Sequence, residues 1–385
     1  MTSTVEFITA NKIICNIGAI EQIAEHCRAL GIKQPLIVTD PGLVKAGLVT
    51  HITAPLNKAG ITAVIYSDIQ ADPPESLVLS AAEFAKQLHV DGVIGFGGGS
   101  SLDVAKLLAV LVNSKQPLKD MYGLDKIRDK RLPLILLPTT AGTGSEVTPI
   151  SIITTGETTK SGVVSPSLLP DIAILDATLT VGLPPAITAA TGIDAMVHAI
   201  EAFTGKIKKN PYSDMLAKEA LRLMSQNLLE AVNNGSNLEA RSNMLLGALM
   251  AGQAFANSPV AAVHALAYPL GGNYHIPHGL SNSLVLPHVL RFNAPVAADL
   301  YAELLPSVTS GQNHQTGQKG CDAFINVIDN LITDVSLPKS LQALNVPRED
   351  LGMLADEAMQ QQRLLVNNPR EVTRENALDI YESAY

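Results

Sequence analysis

The first half of the chain alternates short apolar runs with amphipathic ones, and this alternation predicts strands and helices in turn. Pro35–Asp40, Thr62–Tyr66, Asp91–Phe96 and Leu132–Pro138 read as buried strands. Between them lie helical patterns at Thr50–Lys58, at Pro74–Leu88 and from Leu102 to about Asn113. In the second of these, Leu77, Ala81, Phe84, Ala85 and Leu88 share one predicted apolar face. Repeated strand–helix units imply a parallel, doubly wound sheet. Thr154–Ser161 reads as a β-hairpin hanging off it. After Leu183-Pro-Pro185 the strand signals fade. Helices are expected at 185–204, 211–233, 238–256, 259–268, 278–291, 296–305 and 318–331. The expected fold is therefore an α/β domain over residues 1–183 followed by an all-α domain over 184–385.

Composition narrows the function. The chain has 385 residues and 46% hydrophobic content, yet no apolar run reaches the length of a membrane span. Charged residues make up 16% and the net charge is −9, which argues against a nucleic-acid partner. Three scattered cysteines form no framework, and Met1–Phe7 lacks the look of a secretory signal. A cytoplasmic location is expected.

Two strand ends carry glycines and hydroxyls. Gly97-Gly98-Gly99-Ser100 closes one strand and opens a helix that soon passes Asp103. Glycines let a phosphate approach the backbone, and a helix N-terminus offers N–H groups and a positive dipole. Thr139, Thr140 and Thr143 lie in a second such turn, Thr139-Thr-Ala-Gly-Thr-Gly-Ser145. Ligands bind at the carboxyl ends of strands in open parallel sheets, so two such turns favour a nucleotide. Asp40 ends another strand. It can bond a ribose hydroxyl and repel a 2′-phosphate, or it can cap the turn before Pro41-Gly42.

The helical half carries a possible metal set. In Thr191-Gly-Ile-Asp194-Ala-Met-Val-His198-Ala-Ile-Glu201, Asp194 and His198 are four apart and share a helix face. Taken alone, such a pair is more often an exposed pair or a core hydrogen bond. Of nine histidines, however, His264, His275, His278 and His288 fall within 25 residues of otherwise apolar chain. Uncompensated polar groups there are costly, and ligand duty explains the cluster better than chance does. His264 and His278 are fourteen apart, with Pro269, Gly271, Gly272 and Pro277 between them, so they need two helices. One carboxylate with three imidazoles suits a divalent transition metal, and Fe²⁺, Zn²⁺ and Ni²⁺ all remain open on donor type.

These blocks, together with Pro138–Thr148 and Pro277-His278-Gly279, resemble the iron-dependent, group III alcohol dehydrogenases. The resemblance runs from about residue 5 to the last helices. It implies a dinucleotide-binding domain, a helical domain, a cleft between them, and NAD. It implies Asp194, His198, His264 and His278 as metal ligands, with Fe²⁺ favoured over Zn²⁺. It further implies Gly97–Ser100 on the pyrophosphate, Thr139, Thr140 and Thr143 at the cofactor, Asp40 on the adenosine ribose and Lys160 towards the nicotinamide ribose. Asp103 is grouped with these cofactor residues. Several members carry a histidine four residues after the third ligand, where this chain has Tyr268. Tyr268 and His275 are accordingly the candidates for proton handling. The expected substrate is a small alcohol or aldehyde, and a homo-oligomer, with a dimer favoured, is the expected assembly. Glycerol dehydrogenase and dehydroquinate-synthase-like enzymes are the nearest alternatives, though His198 argues against them. A non-catalytic nucleotide-binding protein is the remaining one.

Overall fold

The computed structural model describes residues 5–156 and 159–385. Residues 1–4, part of the stretch read for a secretory signal, lie outside the described residues, as do Glu157 and Thr158 at the tip of the expected hairpin. The chain forms two compact units. One comprises Ile8–Thr140 and Gly144–Gly182; the other holds Leu183–Tyr385 together with Ala141–Thr143.

The first unit contains β1 (Lys12–Cys15), α1 (Ile23–Ala29), β2 (Pro35–Val38), α2 (Pro41–Lys45), α3 (Thr50–Lys58), β3 (Val64–Tyr66), α4 (Glu75–Gln87), β4 (Gly92–Gly97), α5 (Gly99–Leu111), β5 (Gly123–Leu124), β6 (Leu134–Pro138), β7 (Ile150–Thr155), β8 (Thr159–Val164) and β9 (Ile172–Leu175). Six strands form a sheet in the order β1-β9-β6-β4-β2-β3, parallel throughout. Its central strands are apolar on both faces because helices cover both. The chain leaves β2 towards β3 and returns to β4 on the other side of β2, which puts a topological switch point between β2 and β4. β7 and β8 form an antiparallel hairpin longer than the sequence pattern suggested.

One expected face is rotated. α4 buries Val78, Ala81, Ala82 and Ala85, while Phe84 and Leu88 are exposed. Small side chains let the helix approach its neighbours closely, and Phe84 instead packs its ring 5.6 Å from that of Tyr66. The strands β1 and β9 escaped the sequence reading. Each is four residues long, too short for a periodic signal to stand out.

The second unit is helical: α6 (Pro185–Thr204), α7 (Pro211–Asn233), α8 (Leu238–Asn257), α9 (Ala262–Tyr274), α10 (His278–Val308), α11 (Gly317–Asp334), α12 (Leu351–Ala358), α13 (Gln362–Leu365) and α14 (Arg374–Ser383). α6 is buried nearly all round from Thr188 to Thr204, as befits a helix at the centre of a bundle. Its small residues permit that packing; a Cβ at Gly192 would lie 2.4 Å from Leu228 Cδ1. Two expected breaks are absent. α9 runs on through Pro269, Gly271 and Gly272, and α10 is one helix through Pro287 and Pro295. A proline removes one backbone bond, but the burial of Leu266, Leu270, Leu290 and Ala297 on either side holds the helices together. No helix among the described residues is long and apolar enough to cross a membrane.

Candidate metal centre

α6 presents Asp194, His198 and Glu201 on one face, at i, i+4 and i+7. All three are buried, as is His264 in the first turn of α9. One ligating atom from each of Asp194, His198 and His264 can be chosen so that all lie within 4.8 Å of one another. The His264 ring stacks on that of His198 at 4.7 Å. His278 opens α10 directly after Pro277 and is partly exposed. Its Nε2 is 3.6 Å from Asp194 Oδ1, while that of His264 is 3.8 Å away.

Glu201 organises this group, a role the sequence reading did not give it. Its Oε2 accepts from Ala261 N at 2.9 Å and its Oε1 from Val263 N at 2.7 Å. No side chain of its own segment caps α9, so a carboxylate from α6 does so across the bundle. Oε2 also lies 2.7 Å from His264 Nδ1. With the Nδ1 proton donated to Glu201, Nε2 keeps its lone pair on the side facing Asp194. The signal for Glu201 was its place on the Asp194–His198 face.

Electrostatics set the protonation states. Burial lowers the basicity of His198, and it drives that of His264 well down, with the neighbouring imidazoles adding to the effect. Burial opposes ionisation of Asp194, but the facing histidines and the Asn282 amide hold its carboxyl below the usual range. Burial pushes Glu201 up to about 7 against the pull of its two backbone donors. Asp194 thus stands as the carboxylate of the group, beside the imidazoles of His198 and His264, whose basicity burial lowers.

The donor set fits a divalent cation on two further observations. Asn282, one turn beyond His278 on α10, brings its Nδ2 to 2.5 Å from Asp194 Oδ1 and 3.3 Å from each of His264 Nε2 and His278 Nε2. Three lone pairs therefore converge on one small positive site. His198 Nδ1 and Asn282 Oδ1 are buried without partners, which is costly unless something further binds there. Gly142 approaches α6 closely, which explains the glycine; a Cβ there would lie 2.8 Å from Thr191 Cβ.

Other expected residues lie elsewhere. His275 is exposed and ends α9 in the left-handed conformation, φ 54°. The Tyr268 ring lies 5.9 Å from that of His278. His288 is not part of the metal group; it lines a small pocket with Arg291, Asp329 and Lys339, where burial lowers it to about 4.

In the α/β unit, Asp40, Gly97 and Thr139 lie at or just past the ends of the adjacent strands β2, β4 and β6. Thr139 N donates to Gly97 O at 3.0 Å, tying the two turns together. Gly97 has φ +148°, and a Cβ there would meet Ser101 Oγ at 2.7 Å and Asp40 Oδ2 at 3.4 Å. A Cβ on Gly98 would lie 3.7 Å from Thr140 Oγ1. No side chain caps α5, so its first-turn N–H groups, Ser100 among them, face outward from the turn. Asp40 Oδ1 accepts from Leu43 N at 3.0 Å as the cap of α2, with Oδ2 towards Gly97. Asp103 is committed internally: Oδ2 accepts from Ile152 N at 2.9 Å and Oδ1 from the Ser145 hydroxyl. Lys160 on β8 pairs with Asp72 at 2.6 Å. Thr143 belongs to the short segment that joins the helical unit.

Comparison with known proteins agrees with this chemistry. Residues 10–177 match the iron-containing alcohol dehydrogenase family, and residues 188–385 match the C-terminal region of the Fe-containing alcohol dehydrogenase family. The chain is 42% identical over 371 residues to long-chain-alcohol dehydrogenase 1 of Geobacillus thermodenitrificans, covering 96% of this chain and 93% of that one. Among solved structures, a 1,3-propanediol oxidoreductase matches with a TM-score of 0.96 at 33% identity, each chain covered in full (100%). Sulfoacetaldehyde reductase from Bifidobacterium kashiwanohense, solved with NAD⁺, matches with a TM-score of 0.89 at 29% identity over 99% of each chain. With both halves matched in order and side chains able to hold a metal gathered in the helical half, the chain belongs to the iron-containing alcohol dehydrogenase family.

Proposed function

We propose that this protein is an NAD(H)-dependent alcohol dehydrogenase and aldehyde reductase that uses a divalent metal, Fe²⁺ in preference to Zn²⁺, and acts on a small, mostly apolar alcohol. The convergence of Asp194, His198 and His264 in a buried group, with His278 beside it, carries the reading. Those four residues would hold the ion, which when bound supplies Lewis acidity towards an alcohol or carbonyl oxygen. Glu201 and Asn282 orient the ligand rings. Phe255 stacks on His198 at 4.3 Å and gives the site an apolar wall, which favours a small aliphatic substrate over a charged one.

Gly97, Gly98, Gly99 and Ser100 would receive the pyrophosphate, with Thr139, Thr140 and Thr143 along the rest of the cofactor and Lys160 near its second ribose. Asp103 would serve by holding Ser145 and Ile152 rather than by touching the cofactor. Asp40 can cap α2 with one oxygen and bond the adenosine ribose with the other. A 2′-phosphate would meet like charge there. Purified protein prepared anaerobically with Fe²⁺ is expected to oxidise NADH with short aliphatic aldehydes and to use NADPH poorly. Asp40→Gly should raise NADPH use relative to NADH by about ten- to hundredfold in the kcat/KM ratio. Glycine costs only a few tenths of a kcal/mol (about 0.3) as a helix cap, so the fold survives that change. No turnover with any aldehyde in metal-replete protein would overturn the reading; an unchanged cofactor ratio would leave Asp40 a cap alone.

The proton released in alcohol oxidation would pass by Tyr268 to His275, whose exposed ring can deliver it to water. His275→Ala at equal metal content is expected to lower kcat and alter its pH profile. A variant that keeps both would return His275 to a purely structural part as the end of α9.

A further inference from the structure

Lys106 is fully buried in α5, two helical turns beyond the glycine turn. An ammonium in a dry interior is costly unless acceptors surround it. Here they do: Ile150 O at 2.7 Å, Thr148 Oγ1 at 3.1 Å, Ser145 Oγ at 3.2 Å and Asp103 Oδ1 at 3.4 Å. Three of the four belong to one segment, Ser145–Ile150, which leads on from the Thr139–Thr140 turn. Asp103 grips the chain just past that segment, accepting from Ile152 N, while Ser151 Oγ donates to Asp103 O at 2.9 Å. Glu146, also in that segment, is buried; burial pushes its carboxyl up to about 7, and the Lys106 ammonium pulls it back. Apolar side chains could fasten the segment to the helix at less cost, but they would not fix its register. A buried ammonium directs its N–H bonds at particular oxygens and fixes them in position.

We propose that Lys106 is a positioning residue for the cofactor. Its ammonium locks the segment that follows the Thr139–Thr140 turn onto the helix that carries the Gly97–Ser100 turn, so that both turns meet one dinucleotide at a fixed spacing. This rests on the reading of those turns as the NAD(H) site. Under it, ADP-ribose engages mainly Asp40 and the glycine turn, whereas NADH also needs the threonine turn. A misplacement near 1 Å is enough to lose binding geometry.

The test uses the full-length, metal-loaded protein and its Lys106→Met and Thr148→Val variants. NADH affinity is read from cofactor fluorescence and ADP-ribose affinity from calorimetry, at a temperature where circular dichroism shows each variant folded. NADH affinity is expected to fall about tenfold in Lys106→Met and about threefold in Thr148→Val, with ADP-ribose affinity and metal content within about twofold of wild type. Equal weakening of NADH and ADP-ribose would make Lys106 a stabilising residue only and overturn the proposal, as would no weakening of either. If Lys106→Met does not fold, Thr148→Val decides by the same comparison. Wild-type protein that binds no NADH would instead overturn the cofactor reading itself, a result distinguishable from the other two.

Discussion

His264→Ala is expected to lose bound metal and aldehyde reduction together while the fold persists. The ring nitrogen removed is one of the two, with that of His278, that meet Asp194 and Asn282. Removing a residue that only orients a metal ligand costs about 10- to 100-fold in metal affinity, so loss of a ligand should cost at least ~100-fold. Folding should survive because Glu201 keeps its bonds to Ala261 N and Val263 N and still caps α9. Glu201→Gln should fall between the variant and wild type, about 10- to 100-fold down in affinity. The amide cannot accept from two backbone N–H groups and from His264 at once, because one end of it is a donor. Metal per chain after dialysis against a chelator, with turnover and circular dichroism on the same samples, reads all of this. Full metal occupancy and near-normal turnover in His264→Ala would sink the site.

Gly279→Ala is expected to destabilise the protein by about 3 kcal/mol and to weaken metal binding as well. A Cβ at Gly279 would lie 2.3 Å from Ala190 O, 2.8 Å from Ala190 C and 3.2 Å from Asp194 Cβ. The obstacle is the backbone of α6, which has no rotamer to swing aside, so the start of α10 must move away. His278 precedes the new methyl group and Asp194 touches it, so the movement separates two of the proposed ligands. Gly271→Ala is the control. Its nearest atom would be Ile276 O at 3.5 Å, an ordinary contact. There alanine should be neutral or stabilising by up to about 1 kcal/mol, because a helical glycine gives up more chain entropy. Melting curves and metal content of the two variants check the contrast. Equal stabilities would mean that α6 and α10 tolerate separation at their crossing.

Several features needed no structure to be read. The strands ending at Asp40, Gly97 and Thr139 are short apolar runs closed by turn residues, a local signal that tertiary packing had no reason to override. The spacing of Asp194 and His198 fixes a shared helix face wherever the helix goes. Other features misled in ways the packing explains. Pro269 and Pro295 looked like breaks, yet α9 and α10 continue because buried neighbours outweigh one missing backbone bond. The pattern of α4 points to a face with Phe84 and Leu88, whereas packing in the α/β unit buries Val78 and Ala82 beside Ala81 and Ala85.

The amino-acid sequence by itself determined the succession of elements, the parallel sheet and the glycine and hydroxyl turns. Each of these depends on neighbours within a turn or a strand. Tertiary structure alone decided which of four clustered histidines turn inward: His264 and His278 towards Asp194, His275 to solvent and His288 to another pocket. It also decided that Glu201 caps a helix some 60 residues away, that Asn282 completes the ligand cluster and that Lys106 binds the far side of a turn. Those pairings join residues with no periodic relation along the chain. They arise only when buried polar groups must find partners within the packing that hydrophobic burial has already set.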